Sequence, residues 1–151
     1  MEITLRPARE SDFEVCRRTY FAGVGWINER LQLNRDDQES MFRALWDPAQ
    51  VCIIQADGVD VGWLQTVVSK SEHMLGQIFV DAPFQRRGIG TEVLRRIIAE
   101  ASRLELPIRL AVVKFNPSRR LYERLGFRVT HEDERKVYMT RDPDRPSKPS
   151  A

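Results

Sequence analysis

Two short stretches hold the residues best suited to chemistry. The first is Gln85-Arg86-Arg87-Gly88-Ile89-Gly90-Thr91. It follows an apolar run that reads as a strand and opens a run that reads as a helix. A helix start carries unpaired backbone N–H groups and a partial positive charge. Glycines there let a ligand come close to the backbone. Such a turn suits a phosphate group, and Arg86 and Arg87 add charge and donors beside it. The second stretch is Asn116-Pro117-Ser118-Arg119-Arg120-Leu121-Tyr122-Glu123-Arg124-Leu125-Gly126-Phe127. Asn116 can cap a helix that has Pro117 at its first position. Leu121 and Leu125 read as core. Gly126 reads as the C-terminal cap with Phe127 as its apolar partner.

Two common phosphate motifs do not fit the first stretch. The chain has no Gly-Lys-Ser/Thr, so a P-loop is excluded. The dinucleotide fingerprint GxGxxG or GxGxxA meets Val93 at its third position, and the loop lies past mid-chain rather than in a first βαβ unit.

The elements that must position these stretches follow from periodicity. Ile3 to Arg6 reads as a strand ended by Pro7. Ser11-Asp12-Phe13-Glu14 reads as a capping box, with Ser11 as the cap. Phe13, Cys16, Tyr20 and Val24 follow at helical spacing, and Gly23 and Gly25 are expected to interrupt that helix. Met41, Phe42, Leu45 and Trp46 form one face of a second helix, stopped by Asp47-Pro48. Strands are expected at Val51–Ile54, Val61–Ser69 and Met74–Val80. The stripe Val93, Leu94, Ile97, Ile98, Ala101 and Leu104 makes the helix after the phosphate turn. Ile108 to Val113 is a buried strand, and Phe127 to Val129 and Lys136 to Thr140 complete the set. The order β-α-α-β-β-β-α-β-α-β-β gives an α/β domain with a mixed sheet over residues 1–141. Residues 142–151, polar and Pro-rich, read as a disordered tail.

The chain has 151 residues, 42% hydrophobic and 30% charged, with a net charge of +2. That suits one soluble domain with a real core. The charge is too mild to argue for nucleic acid. Arg86, Arg87, Arg95 and Arg96 form a basic cluster, but no aromatic stacking platform accompanies them. Cys16 and Cys52 fall in no metal-ligand spacing. They read as reduced thiols, with a bridge between them left open. No metal is expected. The N-terminus lacks an apolar signal region and no run spans a membrane, so a cytoplasmic protein is expected.

In their order and separation, the two stretches together resemble the GNAT acetyltransferase superfamily. The first matches its [Gln/Arg]-x-x-Gly-x-[Gly/Ala] coenzyme A turn. The second resembles Asn-x-x-[Ala/Ser]-x-x-[Leu/Phe]-Tyr-x-x-x-Gly-Phe, which it meets at Ser118, Leu121, Tyr122, Gly126 and Phe127, with Asn116 one place nearer to Tyr122 than the Asn of that pattern. The resemblance covers about residues 2 to 141. It implies a GNAT fold, a central sheet splayed between the fourth and fifth strands and flanked by helices. It also implies an acyltransferase using acetyl-coenzyme A as cosubstrate.

The same resemblance implies a set of site residues. Pantetheine would pair with backbone near Ile78, Phe79 and Val80. Pyrophosphate would rest on Gln85, Arg86, Arg87, Gly88, Ile89, Gly90 and Thr91, with Asn116 and Tyr122 also at the cofactor. Tyr122 would protonate the leaving thiolate, its phenol having an ordinary pKa of about 10. A backbone N–H, that of Val80, would hold the oxyanion. Glu72 and His73 are the candidate general bases. Gln77 stands where many members carry a carboxylate, so it would orient a water or the amine instead. Trp26, in a setting read as a loop, and Trp63 on the third strand would line the acceptor site. The acceptor would be a small-molecule or protein amine. Homodimerisation is left open. A catalytically silent acyl-CoA sensor is the alternative.

Overall fold

A computed structural model describes residues 1–145. In chain order its elements are β1 (Ile3–Pro7), α1 (Phe13–Arg30), α2 (Arg35–Leu45), β2 (Val51–Ala56), β3 (Val59–Val68) and β4 (His73–Val80). Then come α3 (Ile89–Arg103), β5 (Ile108–Val113), α4 (Ser118–Arg124), β6 (Arg128–Glu132) and β7 (Lys136–Arg141). The strand order is β1-β2-β3-β4-β5-β7-β6. β4 runs parallel to β5, whereas β1–β2, β2–β3, β5–β7 and β6–β7 are antiparallel. This is the expected α/β fold with a mixed sheet. The β4–β5 ladder has the rungs His73–Ile108 and Met74–Arg109.

The chain forms two compact units. One is Met1–Thr66 with Gly76–Glu92, the other Val67–Leu75 with the chain from Val93 onward.

The first unit is built on an aromatic core. Cys16, Phe21, Phe42, Val51, Ile53 and Trp63 are buried together, with Phe13, Tyr20, Trp46 and Phe79 packed against them. Each large apolar side chain buried this way contributes about 1.5–3 kcal/mol relative to exposure. α1 runs unbroken through Gly23 and Gly25, which corrects the expected interruption. The reason is tertiary. A Cβ on Gly23 would lie 2.8 Å from the Phe79 ring, so the glycine permits a close approach that outweighs its poor helix propensity. Trp26 therefore stands on a helix, not a loop. The cap differs too. Ser11 falls in a short 3₁₀ turn, Glu10–Asp12. Asp12 accepts the Arg9 backbone N–H at 2.8 Å and takes both guanidinium nitrogens of Arg6 at 3.0 Å. On α2, Phe42 is buried, but Met41 and Leu45 are exposed. α1 and α2 are joined by the Arg17–Glu39 ion pair.

In the second unit the α3 stripe behaves as read. Val93, Leu94, Ile97, Ile98 and Ala101 are buried, while Leu104 is largely exposed. β5 alternates, with Ile108, Leu110 and Val112 inward. Gly126 ends the turn after α4 at φ +96°, and Arg141 Nε caps the Leu125 carbonyl at 2.7 Å. The chain past β7 is tied down at first. Arg128 pairs with Asp142 at 2.8 Å, and the Asp144 N–H donates to Ser102 Oγ at 2.9 Å. Residues 146–151 of the expected tail lie outside the described residues.

Cys16 and Cys52 are free thiols. Burial pushes Cys16 up to about 11 and raises Cys52 as well, so neither is an activated nucleophile. Among the described residues, no helix is long and apolar enough to cross a membrane, and no three His, Cys, Asp or Glu side chains are grouped to hold a metal ion.

Candidate functional site

The first unit contains the phosphate-type turn. β4 ends at Val80, and the Asp81 N–H returns to the Val61 carbonyl at 2.8 Å. A 3₁₀ turn, Ala82–Phe84, follows. Gln85 then folds back and donates its side-chain amide to the Val80 carbonyl at 2.8 Å. The chain next takes two left-handed steps, Arg86 at φ +64° and Gly88 at φ +81°. These turn the backbone into α3, whose first residue, Ile89, is 1% exposed and anchors the helix start. The Glu92 N–H is the first to bond back, to the Gly88 carbonyl at 3.0 Å. The earlier amides of the turn belong to the set a helix leaves without internal partners.

The space over this turn is open. A Cβ on Gly88 would meet nothing within 4 Å, and one on Gly90 only the Val80 side chain at 4.0 Å. Arg86, Arg87 and Gly88 are exposed. The Arg87 guanidinium lies 5.7 Å from the Phe84 ring centre, a cation–π contact that orients it. The turn thus offers amides, cations and room, which suits a pyrophosphate.

β4 leads into the turn with Gln77, Ile78, Phe79 and Val80, all half-buried. Strand alternation puts Gln77 and Phe79 on one face and Ile78 and Val80 on the other. Phe79 packs against Tyr20 and Trp63 with ring centres 5.5 and 5.4 Å apart. Trp63 itself is 1% exposed, within 6.0 Å of the Phe42 ring centre. That corrects its expected place lining an acceptor site: its bulk is spent on the core. Trp26, by contrast, is exposed.

The second unit holds the other expected residues. Glu72 is paired with Arg109, Oε2 to Nε 2.9 Å. His73, expected just ahead of the fourth strand, opens β4 and is buried. Its backbone N–H donates to the Pro107 carbonyl at 2.9 Å. Both ring nitrogens are buried without a hydrogen-bond partner among the described residues. Burial lowers its pKa, opposed by the charge of Glu100, so the ring is a neutral imidazole at ordinary pH.

Tyr122 lies on α4, buried and edge-on to Phe127 at 5.6 Å. Burial pushes its phenol up to about 12. The hydroxyl therefore keeps its proton throughout the neutral range. Asn116 Oδ1 accepts the Ser118 N–H at 2.9 Å. This is the expected cap, and it leaves the Asn116 amide nitrogen for other use.

Sequence reasoning missed three features. Gln85 spends its amide on β4, a tie that motif spacing alone does not reveal. Asp81 accepts the Thr19 hydroxyl at 2.9 Å, fastening α1 to the end of β4. Gly62, inside β3, is the third. A Cβ there would lie 2.1 Å from the Phe79 carbonyl oxygen. A glycine within a strand often signals such an approach.

Residues 47–129, more than half of the chain, match the acetyltransferase (GNAT) domain family. Mycothiol acetyltransferase of Acidimicrobium ferrooxidans is 30% identical over 145 residues, 89% of this chain and 46% of that protein. The chain thus spans about half the length of that relative. Among solved structures, PaiA N-acetyltransferase of Thermoplasma acidophilum, in complex with coenzyme A, superposes with a TM-score of 0.74. It is 17% identical, covering 94% of this chain and 99% of the other. N-acetylglutamate synthase of Neisseria gonorrhoeae, complexed with coenzyme A and N-acetylglutamate, gives a TM-score of 0.65 at 16% identity. The likeness covers 96% of this chain and 36% of that one. At these identities the structures speak for the fold.

Proposed function

The chain belongs to the GNAT acetyltransferase family, and from that premise we propose that it moves an acetyl group from acetyl-coenzyme A to a primary amine by direct attack. The observation that carries this reading is the turn at Gln85–Thr91. It is an open, cationic helix start with left-handed steps at Arg86 and Gly88, fastened to the end of β4 by Gln85.

In this reading the amides of Arg86 to Thr91 hold the pyrophosphate, with Arg86 and Arg87 adding charge. The backbone of Ile78 to Val80 holds the pantetheine arm, and Asn116 contributes its free amide. The neutral amine nitrogen attacks the thioester carbon. The Val80 N–H steadies the negative charge that develops on the carbonyl oxygen. As the carbon–sulfur bond breaks, Tyr122 gives its proton to the departing thiolate; the proton lost by the amine passes to water, and water returns one to the phenolate. Burial raises the pKa of Tyr122 to about 12, so the phenol stands neutral and protonated at ordinary pH and has a proton to give as the thiolate leaves.

Glu72 and His73 are weak candidates for direct base catalysis. His73 opens β4 and Glu72 precedes it, whereas Val80 is the last residue of the strand. Glu72 is also engaged by Arg109. Gln77, on the same strand, is better placed to orient a water. Trp26, exposed on α1, is the residue left to face the acceptor. The protein acts in the cytoplasm, on a small-molecule or protein amine.

The direct test is amine-dependent thiol release from acetyl-coenzyme A over a panel of amines, polyamines, aminoglycosides and peptides. Coenzyme A should also raise the melting temperature by mass action, with ATP and NADH doing much less. The neutral Gln77 at the expected carboxylate position favours one second reading, an acyl-CoA sensor without turnover. Binding without amine-dependent release would select it.

A further inference from the structure

We infer that Gly62 is a positioning residue for this reaction: it lets the Phe79 carbonyl turn onto β3 and so aims the Val80 N–H away from β3. The last step, from that direction to catalysis, rests on the function proposed above.

The geometry is local to one unit. A Cβ built on Gly62 would lie 2.1 Å from the Phe79 carbonyl oxygen, 3.1 Å from its carbonyl carbon and 3.0 Å from the Val80 Cα. The oxygen is nearer than its carbon by most of a C=O bond length, so the bond points at Gly62. The peptide is trans, as is every peptide bond among the described residues. In a planar trans peptide the C=O and the following N–H point in opposite directions. With the Phe79 carbonyl on β3, the Val80 N–H must face the other way. The next amide turns back, since the Asp81 N–H donates to Val61 at 2.8 Å. One amide at the end of β4 is thereby directed away from the neighbouring strand.

The arrangement is held from two sides. Gly23 admits the Phe79 ring against α1, where a Cβ would lie 2.8 Å from it. Gly62 admits the Phe79 carbonyl. Gly62 is buried between large neighbours, Val61 and Trp63, where a glycine lowers strand stability. The close approach accounts for its presence.

The test is Gly62→Ala, with Gly25→Ala as the control, because a Cβ at Gly25 meets nothing within 4 Å. The added methyl must push the Phe79 carbonyl aside and rotate the Val80 amide. Loss of one oxyanion donor lowers kcat by about 10²–10³-fold, and that loss is expected here with coenzyme A affinity little changed. Unchanged kcat in a folded Gly62→Ala protein overturns the inference. So does a loss of coenzyme A affinity that matches the loss of kcat, which marks a merely structural role. A second measurement decides the matter where Gly62→Ala does not fold. In the wild-type protein, NMR-detected hydrogen exchange should find the Val80 amide unprotected when free and protected with acetyl-coenzyme A. Protection already present in the free protein overturns the inference. Failure of the wild type to release thiol with any amine would sink the proposed function instead, and exchange would still report the direction of the Val80 amide.

Discussion

Gln85 donates its side-chain amide to the backbone carbonyl of Val80 across 2.8 Å, so the first residue of the phosphate-type turn is bonded to the last residue of β4. The motif residue thus serves as a strut between strand and turn. A net hydrogen bond of this kind is worth about 0.5–1.5 kcal/mol. Gln85→Leu should therefore weaken coenzyme A binding by about 2- to 10-fold, the same energy expressed as affinity. At saturating cofactor, kcat should stay near wild type. Isothermal titration and steady-state kinetics on the same preparation check both. Unchanged affinity would mean that the turn needs no strut.

Gly88 and Gly58 offer a matched pair. Both have φ +81°, and at neither would a Cβ meet anything within 4 Å. Alanine at either position should cost about 1–2 kcal/mol for its left-handed backbone. Only Gly88→Ala should also lose coenzyme A affinity, because only there does the methyl enter the space proposed for pyrophosphate. Chemical denaturation measures the first effect and calorimetry the second. Equal affinity in the two variants would move the phosphates elsewhere.

Much of this was legible in the sequence, and the failures have physical causes. The α3 stripe and the phosphate turn were readable because a long amphipathic period and a glycine pair at a helix start are local signals. The break expected at Gly23 and Gly25 was wrong because propensity was weighed without the Phe79 ring that Gly23 admits. Ser11 falls inside the 3₁₀ turn and caps nothing, while Asp12 spends its carboxylate on Arg6 and the Arg9 amide, partners invisible to local spacing. Trp63, expected at the acceptor, sits in a run of β3 buried from Val61 to Gln65 and packs on Phe42 and Phe79, which no local pattern separates from a ligand-facing position. His73 falls outside the expected fourth strand because β4 begins one residue earlier than its apolar run.

Tyr122→Phe keeps the ring against Phe127 and removes only the proton donor. Loss of a positioned general acid costs about 10²–10⁴-fold in rate. The loss should fall on kcat with coenzyme A affinity nearly unchanged, since the proton moves in the transition state. A good acceptor must be used, or amine attack limits the rate and hides the effect. Near-full kcat would make Tyr122 structural and leave thiolate protonation to water.

The tyrosines also set a pH dependence. All three, Tyr20, Tyr122 and Tyr138, have raised pKa values, Tyr122 to about 12. Burial is the cause for Tyr20 and Tyr122, and the hydrogen bond to Asp133 for Tyr138. A raised folded pKa means that the folded state binds more protons above the unfolded value of about 10. The contribution of Tyr122 to stability is thus complete below pH 10 and is lost as pH climbs toward 12. Ultraviolet titration of the native protein should find Tyr122 ionising near 12 and the Tyr20 and Tyr138 midpoints displaced upward, with all three returning to about 10 once it is unfolded. Three native tyrosines that all titrate at 10 would contradict this.

His73 carries the opposite sign. Its folded pKa is lowered by burial, so stability is complete above the ordinary value of about 6.5 and falls as pH drops through that value toward the folded one. His73→Leu removes two buried nitrogens that lack partners. It should be neutral or stabilising, should flatten the acid limb of stability against pH, and should leave kcat intact. A large loss of kcat in a folded His73→Leu protein would restore His73 as a base.

The central claim is acetyl transfer to an amine, and the measurement that tests it most directly follows both products of one reaction. Purified protein, acetyl-coenzyme A and each amine of the panel are incubated together, with free thiol and acetylated amine quantified in parallel. The account predicts that at least one amine gives both products in equal amounts, and that Tyr122→Phe suppresses both alike. Tight coenzyme A binding with no amine-dependent thiol release anywhere in the panel would contradict it.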